Sequence, residues 1–350
     1  MKWNLSILFF STALLFLLSA CSKGPSKSAT IDTAQLAAFS PLPEATASKD
    51  GALTAEKIAL GRMLYYDPRL SKSQKISCNS CHDLAKYGVD NEPTSDGHKG
   101  QKGERNSPTV YNASAQFVQF WDGRAPNVEE QAKGPVLNPA EMAMPSSKDA
   151  VALLKSMPEY VDSFKKAFPD DKDPVTYDNM GKAIGAFERK LMTPSRWDKF
   201  LKGDQNALTP AEKAGFLEFA NAGCQTCHAG VLLGGNMYQK IGAFKPWPDA
   251  TDPGRFKVTK NDADKLMFKV PSLRNIEKTA PYFHDGKIAT LKDAITRMGE
   301  YQVGQTLTDA QIQSIQTWMA SLTGEIPVDY IRQPALPKST AKTPKPSETD

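Results

Sequence analysis

The feature that most constrains this chain is a short pattern, C-x-x-C-H, which occurs twice. Two cysteines at this spacing can each form a thioether with a vinyl group of one haem, and the histidine that follows them is placed to bind the iron. A redox-active dithiol does not require the histidine, and a zinc site needs further cysteines or histidines nearby. Two complete copies therefore predict two covalently bound haem c groups. The residues are Cys78, Cys81 and His82 in the first copy, and Cys224, Cys227 and His228 in the second.

The fifth cysteine, Cys21, falls in a segment typical of exported proteins. Lys2 precedes the apolar run Leu5–Leu18, which has the character of a signal-peptide core and is too short to span a bilayer comfortably. The run ends in L-S-A-C, which resembles the bacterial lipobox. We therefore predict a signal peptide at 1–20 and a lipid anchor on Cys21, with ordinary secretion and a free Cys21 as the alternative. Ser22 stands in place of an inner-membrane retention aspartate, which favours the outer membrane, facing the periplasm.

Length and composition suit two domains. The chain has 350 residues and a net charge of only +4, and its basic residues are mixed with acidic ones, which argues against binding to nucleic acid. We expect a flexible tether at 21–50, rich in Ser, Ala, Pro, Thr and Lys, and a disordered tail at 336–350. Between them we expect an N-terminal haem domain at 51–191 and a C-terminal haem domain at 192–325.

The pattern of apolar residues and helix caps predicts a mainly α fold with little strand. Threonines that can cap a helix precede apolar runs of helical periodicity at Thr54, Thr209, Thr290 and Thr308. The segments Ser147–Phe168 and Asp178–Leu191 are each predicted to be one helix. By contrast, the polar, glycine-rich stretch from Asp90 to Arg105 is predicted to be a mobile loop.

An internal repeat extends beyond the haem motifs. A shift of 163 positions places Pro108–Asn112 on Pro271–Asn275 without a gap. The same shift places Phe120–Arg124 on Phe283–Lys287. Two separate segments that match at the same shift indicate a duplicated haem domain.

The two copies differ in what can occupy the sixth position of each iron. Met298 lies on a predicted helix of the second half and could bind iron, although a methionine on an apolar helix face is commonly core packing. Its first-half equivalent is Pro135, which cannot bind iron. The first haem therefore depends on His98 in the glycine-rich loop, where the alternative is a solvated surface histidine. A loop can release a ligand more readily than a helix can.

These residues resemble the bacterial dihaem cytochrome c peroxidase family, and in particular its reductively activated members. The resemblance covers about residues 50–330. It includes a histidine 16 residues after His82, the F-W-D-G-R segment at Phe120–Arg124, the N-P-x-E-M segment at Asn138–Met142 and a Y-x-H-D-G segment around His284. It implies two tandem cytochrome c-like haem domains, with residues 326–335 packing back on the first.

The resemblance also implies roles for single residues. Glu141 would move protons on peroxide with Gln131 orienting it, Trp121 would couple the haems, and His284 would contact cofactor. His98 would be a releasable ligand of the first iron and Met298 a fixed ligand of the second. One calcium ion between the domains would be held by Asn106, Thr279 and Pro281.

The predicted activity is reduction of hydrogen peroxide to water, fed with electrons by a small monohaem cytochrome c or a cupredoxin. The family also implies a homodimer. One alternative is an oxidase of a protein substrate, similar to the MauG branch, but that branch carries tyrosine where this chain has Met298. The other is a dihaem electron carrier without catalysis, which a peroxide-turnover assay would distinguish.

Overall fold

The computed structural model of the protein describes residues 1, 30–248 and 250–347. Apart from Met1, the predicted signal peptide at 1–20 lies outside the described residues, as do Cys21 and the last three residues of the predicted tail. Within the described chain, no helix is both long and apolar enough to cross a membrane. The described chain is mainly helical with two short strands, which confirms the predicted fold class.

The elements follow one another as a series of short helices with long connections. The strands β1 (Tyr238–Lys240) and β2 (Met267–Lys269) form one antiparallel pair in which Tyr238 lies opposite Lys269. A single π-helical turn spans Met298–Val303. The described α-helices are α1 (Thr33–Leu36), α2 (Ala55–Tyr66), α3 (Cys78–Cys81), α4 (Val128–Leu137), α5 (Ser147–Lys155), α6 (Pro158–Ala167), α7 (Tyr177–Glu188), α8 (Arg196–Leu201), α9 (Pro210–Asn221), α10 (Phe256–Thr259), α11 (Leu291–Arg297), α12 (Asp309–Met319) and α13 (Val328–Ile331).

The four predicted threonine caps are present in the structure. Thr54, Thr209, Thr290 and Thr308 each accept a hydrogen bond from the third residue of the helix that follows. The prediction of one helix over Ser147–Phe168 is wrong, because α5 and α6 are separate. Pro158 has no N–H to donate to the preceding turn, so it begins α6 instead of continuing α5.

Each half is built on one pair of helices that cross at a glycine. In the first half α2 packs on α7, and a Cβ atom on Gly61 would lie 1.8 Å from the carbonyl oxygen of Ala183. In the second half α9 packs on α12, and a Cβ atom on Gly215 would lie 2.1 Å from the carbonyl oxygen of Ser314. No other residue type permits either approach, so the same crossing geometry is used twice.

The two halves meet in a buried hydrogen-bond network centred on Thr193. The side-chain amides of Asn112 and Asn275 both donate to the Thr193 hydroxyl, each at 2.9 Å. Both asparagines adopt a left-handed conformation, with φ of 61° and 60°, and their backbone amides donate to Leu191 and Leu322. Because the two asparagines are related by the shift of 163, the repeat seen in the sequence is also a structural repeat.

Both ends of the described stretch from residue 30 to residue 347 pack on the protein. Phe39 is buried with its ring edge-on to Trp197 at 5.7 Å, and the Leu42 amide donates to Asp198 at 2.7 Å. The described part of 21–50 is therefore packed where composition predicts a tether. The reason is that its few apolar residues fill gaps on the second half.

The C-terminal segment lies along the first half. The Tyr330 ring stacks on Phe187, and its hydroxyl donates to the Phe187 carbonyl at 2.7 Å. Further on, where composition predicts disorder, Thr343 is buried and the Thr340 hydroxyl donates to the Ser156 carbonyl at 2.9 Å. Backbone and hydroxyl hydrogen bonds hold this polar segment, and composition does not reveal such partners.

Candidate haem pockets

The second C-x-x-C-H motif opens onto a large cavity of about 570 Å³. Cys224, Cys227, His228 and Met298 all line it, so the structure brings the predicted anchors and both predicted ligands of the second haem to one space. Most of its other lining is apolar. A cavity with two thiols, an imidazole and a thioether at its wall fits a haem held by thioethers with His/Met ligation.

The two histidines predicted to be proximal ligands are oriented in the same way. Nδ1 of His82 lies 3.0 Å from the Pro108 carbonyl oxygen, and Nδ1 of His228 lies 3.0 Å from the Leu233 carbonyl oxygen. A carbonyl can only accept, so Nδ1 carries the proton and Nε2 is left to bind a metal. Burial lowers the pKa of both imidazoles, which favours the neutral form that binds iron.

His98 is buried, although its loop is polar and rich in glycine. Only 4% of its surface is exposed, and Nδ1 has no hydrogen-bond partner among the described residues. An unpaired buried nitrogen is costly, so the site fits a group that the imidazole would bind, such as a haem iron. The solvated surface histidine considered from the sequence does not match this burial.

The His98 loop rests directly on the turn that carries Glu141. The His98 amide donates to the Glu141 carbonyl at 2.7 Å. A Cβ atom on Gly97 would lie 1.9 Å from the Ala140 carbonyl oxygen, so a side chain here would push the two segments apart. Gln101 continues the contact by donating to the carbonyls of His98 and Pro139. The loop cannot move without losing these contacts to the turn.

Glu141 lies at a second cavity, of about 290 Å³. Burial raises the pKa of its carboxyl, while nearby Arg124 and the hydrogen bond from Asn138 lower it. The Asn138 amide donates to Glu141 Oε1 at 2.8 Å and fixes the direction of the carboxyl group. Burial raises the pKa of the Cys81 thiol, and the charge of Glu141 adds to this rise, so the acid acts electrostatically on the first motif. Gln131 is not brought to the lining of this cavity.

Arg124 is a site residue to which the sequence analysis gave no role. Its guanidinium group stacks on the Phe120 ring at 3.5 Å, pairs with Asp122 at 3.1 Å and lines the Glu141 cavity. The F-W-D-G-R segment contains it, but its proximity to Glu141 depends on a turn 17 residues further along the chain. No local pattern reveals that contact.

Pro135 and Met298 occupy equivalent positions in the structure as well as in the sequence. Helix α4 begins at Val128 and α11 begins at Leu291, which differ by the same 163 positions. Pro135 lines the Glu141 cavity, and Met298 lines the cavity of the second haem motif. The difference between Pro135 and Met298 that the sequence predicts is therefore a difference between the linings of two cavities at equivalent positions.

The remaining predicted residues lie where the two halves meet. Trp121, Asn106, Thr279, Pro281 and His284 all line the cavity of the second motif. Trp121 donates from Nε1 to the Asn106 carbonyl at 2.9 Å, and its ring lies edge-on to His284 at 6.4 Å.

No cluster of three or more His, Cys, Asp or Glu side chains suited to a metal occurs among the described residues. The predicted calcium ligands are of another kind, an amide oxygen and carbonyl oxygens, which calcium also accepts. Asn106, Thr279 and Pro281 all line the cavity of the second motif.

Comparisons with known proteins agree with this architecture. A family model described as di-haem cytochrome c peroxidase matches residues 55–206. The chain is 46% identical to cytochrome c551 peroxidase of Pseudomonas aeruginosa over 321 residues, which is 89% of this chain and 91% of the relative. It is 48% identical to cytochrome c551 peroxidase of Nitrosomonas europaea over 294 residues, 83% and 86% of the two chains. A solved MauG-like protein associated with microbial copper homeostasis has a TM-score of 0.75 at 28% identity and covers 84% of this chain and 97% of its own.

Proposed function

The chain belongs to the di-haem cytochrome c peroxidase family, and from that premise we propose that it reduces hydrogen peroxide to water with electrons from a small redox protein. It is a dihaem peroxidase, as its motifs predict. The observation that carries the specific proposal is the contact between the buried His98 and the turn of Glu141. This contact joins the loop that carries His98 to the turn that carries Glu141, whose carboxyl pKa is raised by burial.

Two sets of residues would hold the haems. Cys78 and Cys81 would anchor the first, with His82 and His98 facing its iron. When bound, haem supplies an iron centre that binds oxygen ligands and exchanges single electrons. The second set is Cys224, Cys227, His228 and Met298, with His284 at the cavity wall.

Glu141 would perform the proton transfers. Cleavage of the O–O bond needs a proton removed from one peroxide oxygen and delivered to the other, so that the leaving oxygen departs as water. One carboxyl group held in place can do both. Asn138 orients Glu141, and a pKa raised by burial brings this group closer to the neutral range in which such transfers are efficient. Gln131, one turn before Pro135 in α4, does not line the cavity of Glu141, so it would have to turn toward that cavity to orient peroxide.

His98 would act as the gate. Its release requires the loop to leave the turn at Ala140 and Glu141, so opening of the site and freedom of the carboxylate are linked. Trp121 would provide the electronic connection between the halves, because it is an aromatic residue of the first half in the wall of the second-half cavity. Calcium at Asn106, Thr279 and Pro281 would stiffen this junction.

We further propose that the protein works in the periplasm as a homodimer, anchored to the outer membrane through a lipid on Cys21. The donor would be a small monohaem cytochrome c or a cupredoxin. Incorporation of labelled fatty acid, lost in Cys21→Ala, tests the anchor, and sedimentation with and without a calcium chelator tests the dimer.

Peroxide turnover by the half-reduced holoprotein tests the activity itself. Hydrogen peroxide should be consumed with two equivalents of reduced cytochrome c oxidised for each peroxide. A protein that holds both haems and accepts electrons but consumes no peroxide would instead be an electron carrier.

A further inference from the structure

A lysine is buried in the wall of the second haem cavity. Lys269 ends β2, is 5% exposed and lines the same cavity as His228 and Met298. Lysine is rarely buried to this degree unless its ammonium group is paired, because removing a charge from water is costly. The burial of Lys269 therefore raises the question of which group pairs with its ammonium group.

The partners that the protein provides are neutral oxygens. The Lys269 ammonium group donates to Gln116 Oε1 and to the Val118 carbonyl, the latter at 3.2 Å. No described residue places a carboxylate in an ion pair with it. The acid that acts on it electrostatically is Asp122, which already forms ion pairs with Arg105 and Arg124. The ammonium group is thus hydrogen-bonded without a counter-ion.

The missing counter-ion has an evident source in this cavity. Every haem carries two propionate carboxylates, and the cavity wall beside Lys269 is otherwise mostly apolar. Burial lowers the pKa of the lysine to about 7, and the charge of Asp122 offsets this only in part. A carboxylate brought in by the cofactor would restore the charged form.

We propose that Lys269 forms a buried ion pair with a propionate of the second haem and so raises the reduction potential of that haem. The proposal rests on the second haem of the proposed function. A compensated propionate leaves less negative charge near the iron, so the reduced state is favoured. The backbone amide of Lys269 also donates to the Trp121 carbonyl at 2.8 Å, so Lys269 is hydrogen-bonded to the segment that carries Trp121.

The alternative is that Lys269 only holds the 116–121 segment in place. Both roles would disturb electron transfer, so activity cannot separate them. The equilibrium potential can, because a packing role has no reason to depend on the sign of the charge. Optical potentiometry on the purified dihaem protein gives this readout and needs no peroxide, so it is independent of the substrate.

Lys269→Met keeps the length and removes the charge. At a fixed potential near the midpoint, the ratio of reduced to oxidised second haem should fall at least tenfold, which is 59 mV for a one-electron couple. Lys269→Arg should retain the wild-type ratio within about threefold, since its charge can still pair with a carboxylate. If the Met variant does not retain both haems, Lys269→Gln carries the same test, because its amide can still donate to the 116–121 segment.

Lys240→Met is the matched control. Lys240 lines the same cavity but is exposed, so water screens its charge and the ratio should change less than twofold. An unchanged potential in Lys269→Met would overturn the proposal. An equal fall in Lys269→Arg would also overturn it, because packing and not charge would then set the potential. A change in reduction potential confined to the first haem would overturn it as well.

Discussion

The two halves of the molecule hold their haem anchors alike but differ on the opposite side of each pocket. On the anchor side, His82 and His228 each direct Nδ1 to a backbone carbonyl, and Asn112 and Asn275 meet on one threonine hydroxyl. On the other side, α11 runs into Met298, whereas α4 has Pro135 and leaves space for Glu141. The duplicated halves have thus kept the side that carries the C-x-x-C-H motif and differ on the opposite side.

A proline can make this difference without destroying the helix. Pro135 lies in the last turn of α4, and the amide of Asn138 still bonds to Gly134 and Pro135. The chain then turns back, so that Glu141 contacts the loop that carries His98. In the second half the corresponding segment continues as the π-helical turn Met298–Val303, which keeps Met298 on a rigid element.

The largest expected effect comes from removing the acid that only the first half has. Glu141→Gln should retain both haems and lower peroxide turnover by about 10²–10⁴-fold, because the amide cannot accept and return a proton. Steady-state kinetics with reduced cytochrome c measures this. Glu130→Gln is the control, since Glu130 lines the same cavity but is 44% exposed. Turnover within a few-fold of wild type would remove Glu141 from the proposed mechanism.

Opening the gate of the first half should make it independent of the second. His98→Gly should be active without prior reduction, with an initial rate on the order of 10–100-fold above that of the fully oxidised wild type. The reason is that most oxidised wild-type molecules would have the site closed by His98, which lowers the apparent activity by that factor. Stopped-flow mixing of oxidised protein with peroxide measures this. Lys102→Ala, an exposed ion-pair variant in the same loop, should remain inactive. A continued requirement for reduction in His98→Gly would place the gate elsewhere.

Removing the proposed ligand of the second haem, Met298, should make the two pockets more alike. Met298→Leu should lower the potential of the second haem by tens to hundreds of millivolts and abolish the absorption band of a methionine-ligated ferric haem, since axial ligands set the potential over a wide range. Met319→Leu changes another methionine of the same cavity and should leave both unchanged. A normal spectrum in Met298→Leu would return that residue to core packing.

The smallest effect concerns the charge beside Glu141. Burial raises the pKa of this carboxyl and Arg124 opposes the shift, so the ionised base is lost as the pH falls through a pKa above the ordinary value. Arg124→Met should move the acidic limb of the kcat/KM profile to higher pH by a fraction of a unit, because the Arg124 side chain is 42% exposed and its charge is partly screened. Arg124→Lys should return the acidic limb to its wild-type pH, because the positive charge is kept. A shift to lower pH would contradict this assignment.

The motifs predicted the haem anchors, the family and the enzyme class, and the comparisons confirm the family and the class. They succeeded because thioether attachment depends on spacing along the chain. The threonine caps were predictable for the same reason, since a cap and the amide it binds are three residues apart. Pro158 breaks the helix within a stretch whose apolar periodicity alone favours one continuous helix.

The sequence by itself determined two covalent haems, their duplicated setting and the exchange of Met298 for Pro135, because each is a matter of residue type at a fixed spacing. Tertiary structure alone decided that His98 is buried against the Glu141 turn, that Arg124 acts on Glu141, and that Lys269 is enclosed without a counter-ion. Burial and electrostatic environment arise from segments far apart in the chain. The pattern thus identifies the pockets, and the packing determines how their groups are charged and held.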